Sequence, residues 1–237
     1  MTTTLAAVLD PFLSLLYPPR CLVCRALGAA GLCGACLEQI VSVADPSCPV
    51  CGHTVDLNDG CRNCLSRRPT FVRARALGAY EGVLQTAIYH FKYRDRPQLA
   101  GPLGRSLASF ARDHAAHLND LKFDALQPVP MHSTRRRLRG YNQSERLARV
   151  VGTELGLPLC DALVRSRPTR PQVGLAREAR CINLAGAFTV RRPEEVRGKT
   201  LLLIDDVATT GSSLSECAAA LKAAGAAAVY ALTLAAG

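Results

Sequence analysis

The chain has 237 residues, of which 49% are hydrophobic and 20% are charged. That length and apolar content predict one sizeable core with a small satellite module, and they exclude a disordered chain. No apolar run approaches the roughly twenty residues of a transmembrane helix, so we expect no membrane span. The formal net charge is +10, which indicates an anionic partner.

The positive charge is concentrated in the larger, C-terminal part of the chain. Residues 1–68 carry five Arg and five acidic residues, so the whole excess of Lys and Arg lies in residues 69–237. A basic domain of this kind fits a phosphorylated small molecule and a nucleic acid equally well.

The first segment, residues 1–18, predicts a short helix. Asp10 followed by Pro11 is a typical pair for the N-cap and the first helical position, and an apolar face follows. The segment has neither a basic start nor an obvious cleavage site, so we do not expect secretion and interpret the protein as cytoplasmic.

Four Cys-x2-Cys pairs follow within residues 19–68 and predict a double zinc ribbon. Each pair supplies two thiolates from one tight turn, and two pairs complete a tetrahedral site. The predicted ligands of two structural Zn²⁺ ions are Cys21, Cys24, Cys33, Cys36, Cys48, Cys51, Cys61 and Cys64. We favour consecutive pairing of the turns, although the spacing also permits an interleaved arrangement. His53 follows Cys51 too closely to be a natural ligand and is interpreted as a surface residue.

From residue 69 onward, apolar runs typical of strands alternate with helical patterns. The predicted strands cover residues 71–79, 124–130, 160–165, 188–191, 201–205 and 227–234. This alternation predicts an α/β domain over residues 69–237 with a doubly wound parallel sheet.

A run of arginines follows the predicted strand at 124–130 and forms a candidate anion site. Its members are Arg135, Arg136, Arg137, Arg139 and the following Gly140, which we expect at the start of the next helix. The alternative is a solvated basic turn. Tyr93 and Tyr141 lie beside arginines in the sequence and are the best candidates for stacking on nucleic-acid bases.

The most informative stretch is the buried strand at 201–205, which ends in two acids and a hydroxyl-rich turn. A helix with a hydroxyl N-cap is predicted to follow from Ser212 and to stop at Gly225. The turn and the helix N-terminus suit a phosphate, and the acids suit ribose hydroxyls or Mg²⁺. The predicted ligand is a sugar phosphate, bound by Asp205, Asp206, Val207, Ala208, Thr209, Thr210, Gly211, Ser212 and Ser213.

This stretch resembles the phosphoribosyl-pyrophosphate (PRPP) loop of type I phosphoribosyltransferases, and the whole chain resembles the ComF/ComFC (GntX-like) competence family. The resemblance implies PRPP with Mg²⁺ as the ligand, and pyrophosphate near Arg139 and Gly140. It also implies a flexible hood near residues 167–175 and a role in DNA uptake, with single-stranded DNA and DNA-uptake proteins as partners.

One position departs from the enzymes of this class and leaves the activity open. Purine-base transferases usually carry an acid in the loop, and the matching position here is Thr209, which has no useful pKa. Two hypotheses remain: a PRPP-binding protein of natural transformation that binds single-stranded DNA, or an active phosphoribosyltransferase with an unidentified acceptor.

Overall fold

The structure is a computed structural model that describes residues 18–56, 60–113, 122–167 and 183–237. All but the last residue of the predicted helix in residues 1–18, and most of the predicted hood at 167–175, lie outside these ranges. All helices within the described ranges are too short or too polar to cross a membrane.

The secondary structure follows the predicted alternation closely. The strands are β1 (Arg73–Ala79), β2 (Ala125–Pro128), β3 (Leu163–Arg165), β4 (Phe188–Val190), β5 (Thr200–Ala208) and β6 (Ala228–Ala236). The α-helices are α1 (Gly34–Glu38), α2 (Arg62–Ser66), α3 (Gly82–Tyr93), α4 (Ala100–Asp113), α5 (Ser133–Arg139), α6 (Gln143–Leu155) and α7 (Ser212–Ala223). Single 3₁₀ turns cover Pro97–Leu99 and Pro193–Glu195.

The main sheet has four parallel strands in the order β1-β6-β5-β2, which confirms the predicted parallel sheet. The strands predicted at 160–165 and 188–191 do not join it. Instead β3 and β4 pair with each other as an antiparallel two-stranded sheet. Each has only three residues, and Thr189 at the centre of β4 is exposed. Strands inside a parallel sheet are buried on both faces, so these two suit a half-exposed antiparallel pair.

The residues of β5 divide the domain into two apolar cores. Leu202 and Ile204 belong to a core that also contains side chains of α3, α4 and α6. Leu201 and Leu203 point the other way, into a core with α7. All four are essentially inaccessible to solvent, and burial of such a side chain contributes roughly 1.5–3 kcal/mol. Helices on both faces make the sheet doubly wound, as predicted.

The cysteine-rich module covers the open edge of β1. The Ala74 N–H donates to the Val50 carbonyl at 2.7 Å, and the Ala79 N–H donates to the Val41 carbonyl at 2.8 Å. Contact is so close that a Cβ on Gly78 would lie 2.5 Å from the Val41 carbonyl oxygen. Because an unpaired edge strand invites intermolecular pairing, the module protects the sheet as well as docking on it.

Candidate functional site

The eight paired cysteines form two clusters with the geometry of tetrahedral zinc sites. Within each cluster all four sulfur atoms lie within 4.8 Å of one another. Closest Sγ–Sγ approaches are 3.5 Å between Cys24 and Cys33, and 3.4 Å between Cys51 and Cys61. A tetrahedron with Zn–S bonds of about 2.3 Å has edges of about 3.8 Å, so both clusters fit zinc. The grouping is consecutive, Cys21 to Cys36 and Cys48 to Cys64, which resolves the pairing that the spacing left open.

The predicted sugar-phosphate segment lies at the carboxyl end of β5, where open α/β sheets place their ligands. The strand continues to Ala208, three residues beyond its predicted end. Gly211, with φ +69°, is the N-cap of α7, so the prediction of a hydroxyl at the cap itself is wrong. A left-handed residue with a side chain would cost roughly 1–2 kcal/mol here. The Thr210 and Ser212 hydroxyls are paired at 2.7 Å beside the helix start.

The two acids of β5 have different partners. Oδ1 of Asp205 accepts from the Ser144 hydroxyl at 2.8 Å and from the Asp206 N–H at 2.9 Å. Oδ1 of Asp206 forms an ion pair with Nζ of Lys92 at 2.7 Å. Successive side chains of a strand point to opposite faces, yet both acids line one cavity. The cavity begins where the strand ends, so side chains from both faces reach it.

A buried segment between α5 and α6 sets the position of Ser144. The Asn142 amide donates to the Val129 carbonyl at 3.0 Å, and its side-chain oxygen accepts from the Ser144 N–H at 3.2 Å. Tyr141 is buried and its hydroxyl donates to the Phe91 carbonyl. The prediction that Tyr141 stacks on bases is therefore wrong, and its role is to fix α6 against α3.

The predicted arginine loop is a helix, α5, and Gly140 with φ +82° is its C-cap rather than the start of the next helix. On a helix, residues i and i+4 share a face. Accordingly Arg135 and Arg139 both line the cavity, whereas Arg136 pairs with Glu145 at 3.2 Å and Arg137 is exposed. Nη1 of Arg139 donates to the Gln143 side chain at 2.9 Å, which orients its guanidinium.

The cavity that these residues share has a volume of about 620 Å³. Five residues of the predicted loop line it, namely Asp205, Asp206, Val207, Thr209 and Ser213. Ala208 is buried in the strand end, and Thr210, Gly211 and Ser212 shape the turn behind it. The cavity brings the acids of β5 and the arginines of α5 together at one end of the sheet.

The cavity lining also includes polar residues that were not predicted as ligand-binding, among them Lys92 at the end of α3, Ser144 at the start of α6 and Arg165 at the end of β3. Only the basic end of α3 gave a sequence signal, because Lys92 is followed by Tyr93 and Arg94. Four cationic residues thus face two carboxylates across the cavity, so its net charge favours an anion.

Burial and mutual repulsion perturb the ionisation of this site. Removal from water, followed by the charge of Asp206, raises the pKa of Asp205 to about 7, with the Ser144 hydroxyl opposing the change. Burial also lowers the pKa of Arg165, and so does the neighbouring Arg135. An anionic ligand would relieve the repulsion among the cations.

His53 is not a simple surface residue, in contrast to its sequence interpretation. Its Nε2 lies 3.1 Å from the Ala208 carbonyl oxygen at the end of β5, and its Nδ1 lies 3.3 Å from the Cys51 carbonyl oxygen. The second cysteine cluster is therefore attached directly to the strand that carries the acids.

Comparison with known proteins agrees with this arrangement of ribbon and site. A family model described as a double zinc ribbon domain matches residues 12–65, and one described as a phosphoribosyl transferase domain matches residues 138–237. Competence protein F of Haemophilus influenzae is 33% identical over 210 residues, which cover 86% of this chain and 90% of that protein.

This chain belongs to the ComF family. DNA utilization protein YhgH of Escherichia coli K12 is also 33% identical, over 91% of this chain and 96% of its own length. Competence protein ComFC of Bacillus subtilis is 25% identical over 86% of this chain and 83% of its own length. The ComF resemblance and the type I phosphoribosyltransferase fold with a zinc-ribbon module are thereby confirmed.

Proposed function

We propose that this protein binds PRPP, or a closely related ribose 5-phosphate, together with Mg²⁺ in the cavity at the end of β5. The observation that carries the proposal is the meeting of the acid pair with the α7 start and the cationic side chains in one cavity. The turn before α7 would hold the 5′-phosphate, as helix N-termini do in other phosphate sites.

The acids and the cations would divide the rest of the ligand between them. Asp205 and Asp206 would accept hydrogen bonds from the ribose hydroxyls or hold water around Mg²⁺. Arg135 and Arg139 would face the pyrophosphate, since guanidinium groups bind phosphate oxygens in pairs. The ion pair of Lys92 with Asp206 places a cation at the acid in the absence of ligand, so ligand or metal binding must rearrange it.

We further propose a role in DNA uptake in which single-stranded DNA binds beside the cavity, within the cytoplasm where zinc thiolates stay reduced. Tyr93 is 54% exposed and its ring lies 5.5 Å from that of Tyr89, which is 44% exposed. The guanidinium of Arg139 lies 5.1 Å from the Tyr93 ring centre, and that of Arg94 lies 5.6 Å from the Tyr89 ring centre. Exposed aromatic rings with interleaved arginines are the usual platform for unpaired bases.

An active transferase with an unidentified acceptor is the second candidate. Thr209 lines the cavity where purine transferases usually carry an acid, and a hydroxyl cannot accept the acceptor's proton at neutral pH. However, Asp205 lines the same cavity with a pKa of about 7, which is suitable for a general base.

Isothermal titration with PRPP, with and without Mg²⁺, tests the proposal. We expect saturable binding that strengthens with Mg²⁺, and an oligonucleotide titration should give a second, strongly salt-dependent binding event. Absence of binding at millimolar PRPP with Mg²⁺ would contradict the sugar-phosphate assignment. Release of pyrophosphate from PRPP on addition of a nucleobase or amine acceptor would favour the transferase instead.

A further inference from the structure

The second cysteine cluster, residues 48–64, directly contacts the loop at residues 208–213, which is named the phosphate loop after the proposed ligand. Cys48 and Cys51 are buried in the apolar core that also contains Ala208. The chain that follows the cluster then runs beside the first turns of α7. The zinc module and the loop are therefore parts of one packed unit.

Two side chains of this cluster reach the loop backbone. Nε2 of His53 lies 3.1 Å from the Ala208 carbonyl, and the Asn63 amide nitrogen lies 3.5 Å from the Thr209 carbonyl. A carbonyl only accepts hydrogen bonds, so the first contact is a hydrogen bond in the tautomer whose ring proton lies on Nε2. The Ala208 carbonyl also accepts from the Gly237 N–H at 3.0 Å, which completes its two acceptor positions.

Two contacts from the chain after Cys64 hold the helix that follows the loop. Arg67 forms an ion pair with Glu216 at 2.9 Å, and the Thr70 N–H donates to the Ser215 hydroxyl at 3.0 Å. Both partners lie on the first turns of α7, whose start we assign to the 5′-phosphate. The second cysteine cluster and the chain that follows it thus contact the loop before Gly211 and α7 after it.

The first cluster, residues 21–36, packs elsewhere. Cys21, Leu32 and Cys36 lie in the other core with Leu99 and Leu103, against the start of α4. A Cβ on Gly31 would lie 3.4 Å from Pro102 of α4. The two zinc sites therefore differ in what they support, although their ligand sets are the same.

We propose that the second zinc ribbon holds the phosphate loop in its ligand-binding conformation, with His53 and Asn63 as positioning residues. This proposal rests on the proposed function for the identity of the ligand. It makes sugar-phosphate affinity sensitive to zinc occupancy or thiol oxidation at Cys48 to Cys64. By linkage, the ligand in turn raises the affinity of this site for zinc by the same factor by which zinc raises the affinity for the ligand.

The test compares full-length wild type with His53→Ala, His53→Gln and Asn63→Ala by hydrogen–deuterium exchange and by titration with PRPP and Mg²⁺. A glutamine amide reaches about as far as Nε2 and can donate the same hydrogen bond. We expect His53→Ala to speed exchange in residues 205–214 selectively and to weaken PRPP binding about fivefold to tenfold, in keeping with one lost hydrogen bond. His53→Gln should restore both values.

Arg75→Ala is the matched control. Arg75 donates to the Pro49 carbonyl at 3.1 Å, so it joins the same ribbon to β1 without contacting the loop. In Arg75→Ala, hydrogen–deuterium exchange of the loop and the affinity for PRPP should stay at wild-type values. Zinc analysis should give two ions per chain for each of these proteins. If His53→Ala loses zinc, the test relies on Asn63→Ala alone, for which we expect a twofold to fivefold loss of PRPP affinity.

Unchanged loop exchange in zinc-loaded His53→Ala and Asn63→Ala would overturn the proposal, and so would exchange that accelerates equally throughout the chain. A separate chelation experiment adds a second criterion: PRPP should slow zinc transfer to a colorimetric chelator for one of the two ions only. If wild type binds no PRPP, the proposed function fails, whereas the exchange comparison still decides whether the ribbon positions the loop.

Discussion

The cavity is built from two regions that handle negative charge in different ways. The phosphate loop lies between a buried strand and a helix start, and its shape depends on backbone, on Gly211 and on paired hydroxyls. By contrast, α5 is a seven-residue helix with no buried residue, and it contributes through side chains alone. The loop is therefore shaped to receive one group at a fixed place, whereas α5 presents charges in several directions.

Helical geometry divides the arginines of α5 between two surfaces. Arg135 and Arg139 share a face and line the cavity, while Arg136 and Arg137 point away from it. A run of like charges in a sequence is thus not one binding site. The structure groups Arg135 with Arg139, the residue near which the resemblance implies pyrophosphate.

The largest effect is expected at the loop. Asp206→Asn should weaken PRPP binding about a hundredfold, because a hydrogen bond or metal contact that involves a charged group contributes about 1.5–3 kcal/mol. It should also lower the free energy of unfolding by about 3 kcal/mol, since Lys92 would keep its largely buried charge without the carboxylate. Titration calorimetry and urea unfolding measure the two changes.

Asp161→Asn is the control for this experiment. Asp161 forms a surface ion pair with Arg192 at 3.9 Å, and its side chain is 83% exposed. That change should alter stability by less than about 1 kcal/mol and leave PRPP binding intact. Equal PRPP affinity in Asp206→Asn and wild type would remove the acid pair from the site.

The difference between the two regions also explains what could be predicted from the sequence. The order of strand, acids, turn and helix could be predicted because these elements are contiguous in the sequence. The loop contributes only part of the cavity lining. Lys92, Ser144 and Arg165 come from three other elements, and only tertiary packing brings them to the acids. The same applies to His53, whose contact with Ala208 spans 155 residues.

For the fold as well, contiguous sequence patterns could be predicted, whereas pairing between distant segments could not. Alternating apolar runs predicted the four strands of the parallel sheet, but not that β3 and β4 would pair separately, because three-residue strands give no reliable pattern. Gly140 was assigned to the wrong end of a helix for a related reason. A glycine between two helical segments can end one or begin the next, and here the preceding arginine run is itself helical.

The next largest effect is expected at the proposed stacking surface beside α5. Tyr93→Ala should weaken single-stranded oligonucleotide binding about tenfold, since stacking of one base contributes about 1–3 kcal/mol. Tyr93→Phe keeps the ring and should bind almost as well as wild type. Fluorescence anisotropy with a labelled oligonucleotide at fixed salt measures both variants. An equal loss in Tyr93→Phe would show that the hydroxyl matters and that stacking does not.

The raised pKa of Asp205 predicts that the free energy of unfolding of the protein depends on pH. Between the ordinary value of 3.8 and about 7, the folded protein holds a proton that the unfolded chain releases, so stability falls as pH rises and levels off above 7. The slope is at most about 1.4 kcal/mol per pH unit. Asp205→Asn should remove this contribution. Between pH 6 and pH 8, the free energy of unfolding measured in urea should therefore fall more in zinc-loaded wild type than in zinc-loaded Asp205→Asn. Parallel profiles would contradict the shift.

The smallest effect separates the two faces of α5. Arg137 is exposed and lies away from the cavity, so Arg137→Ala should reduce the salt dependence of oligonucleotide binding by about 0.7, the value for one phosphate contact on a single strand, without changing PRPP affinity. Arg135→Ala should weaken PRPP binding and leave the salt dependence of oligonucleotide binding unchanged, because Arg135 lines the cavity beside Arg139. Both affinities are measured across a salt series for the two variants. If both variants change both ligands equally, α5 acts as one undivided basic patch, and the contrast between a fixed loop and a two-faced helix is wrong.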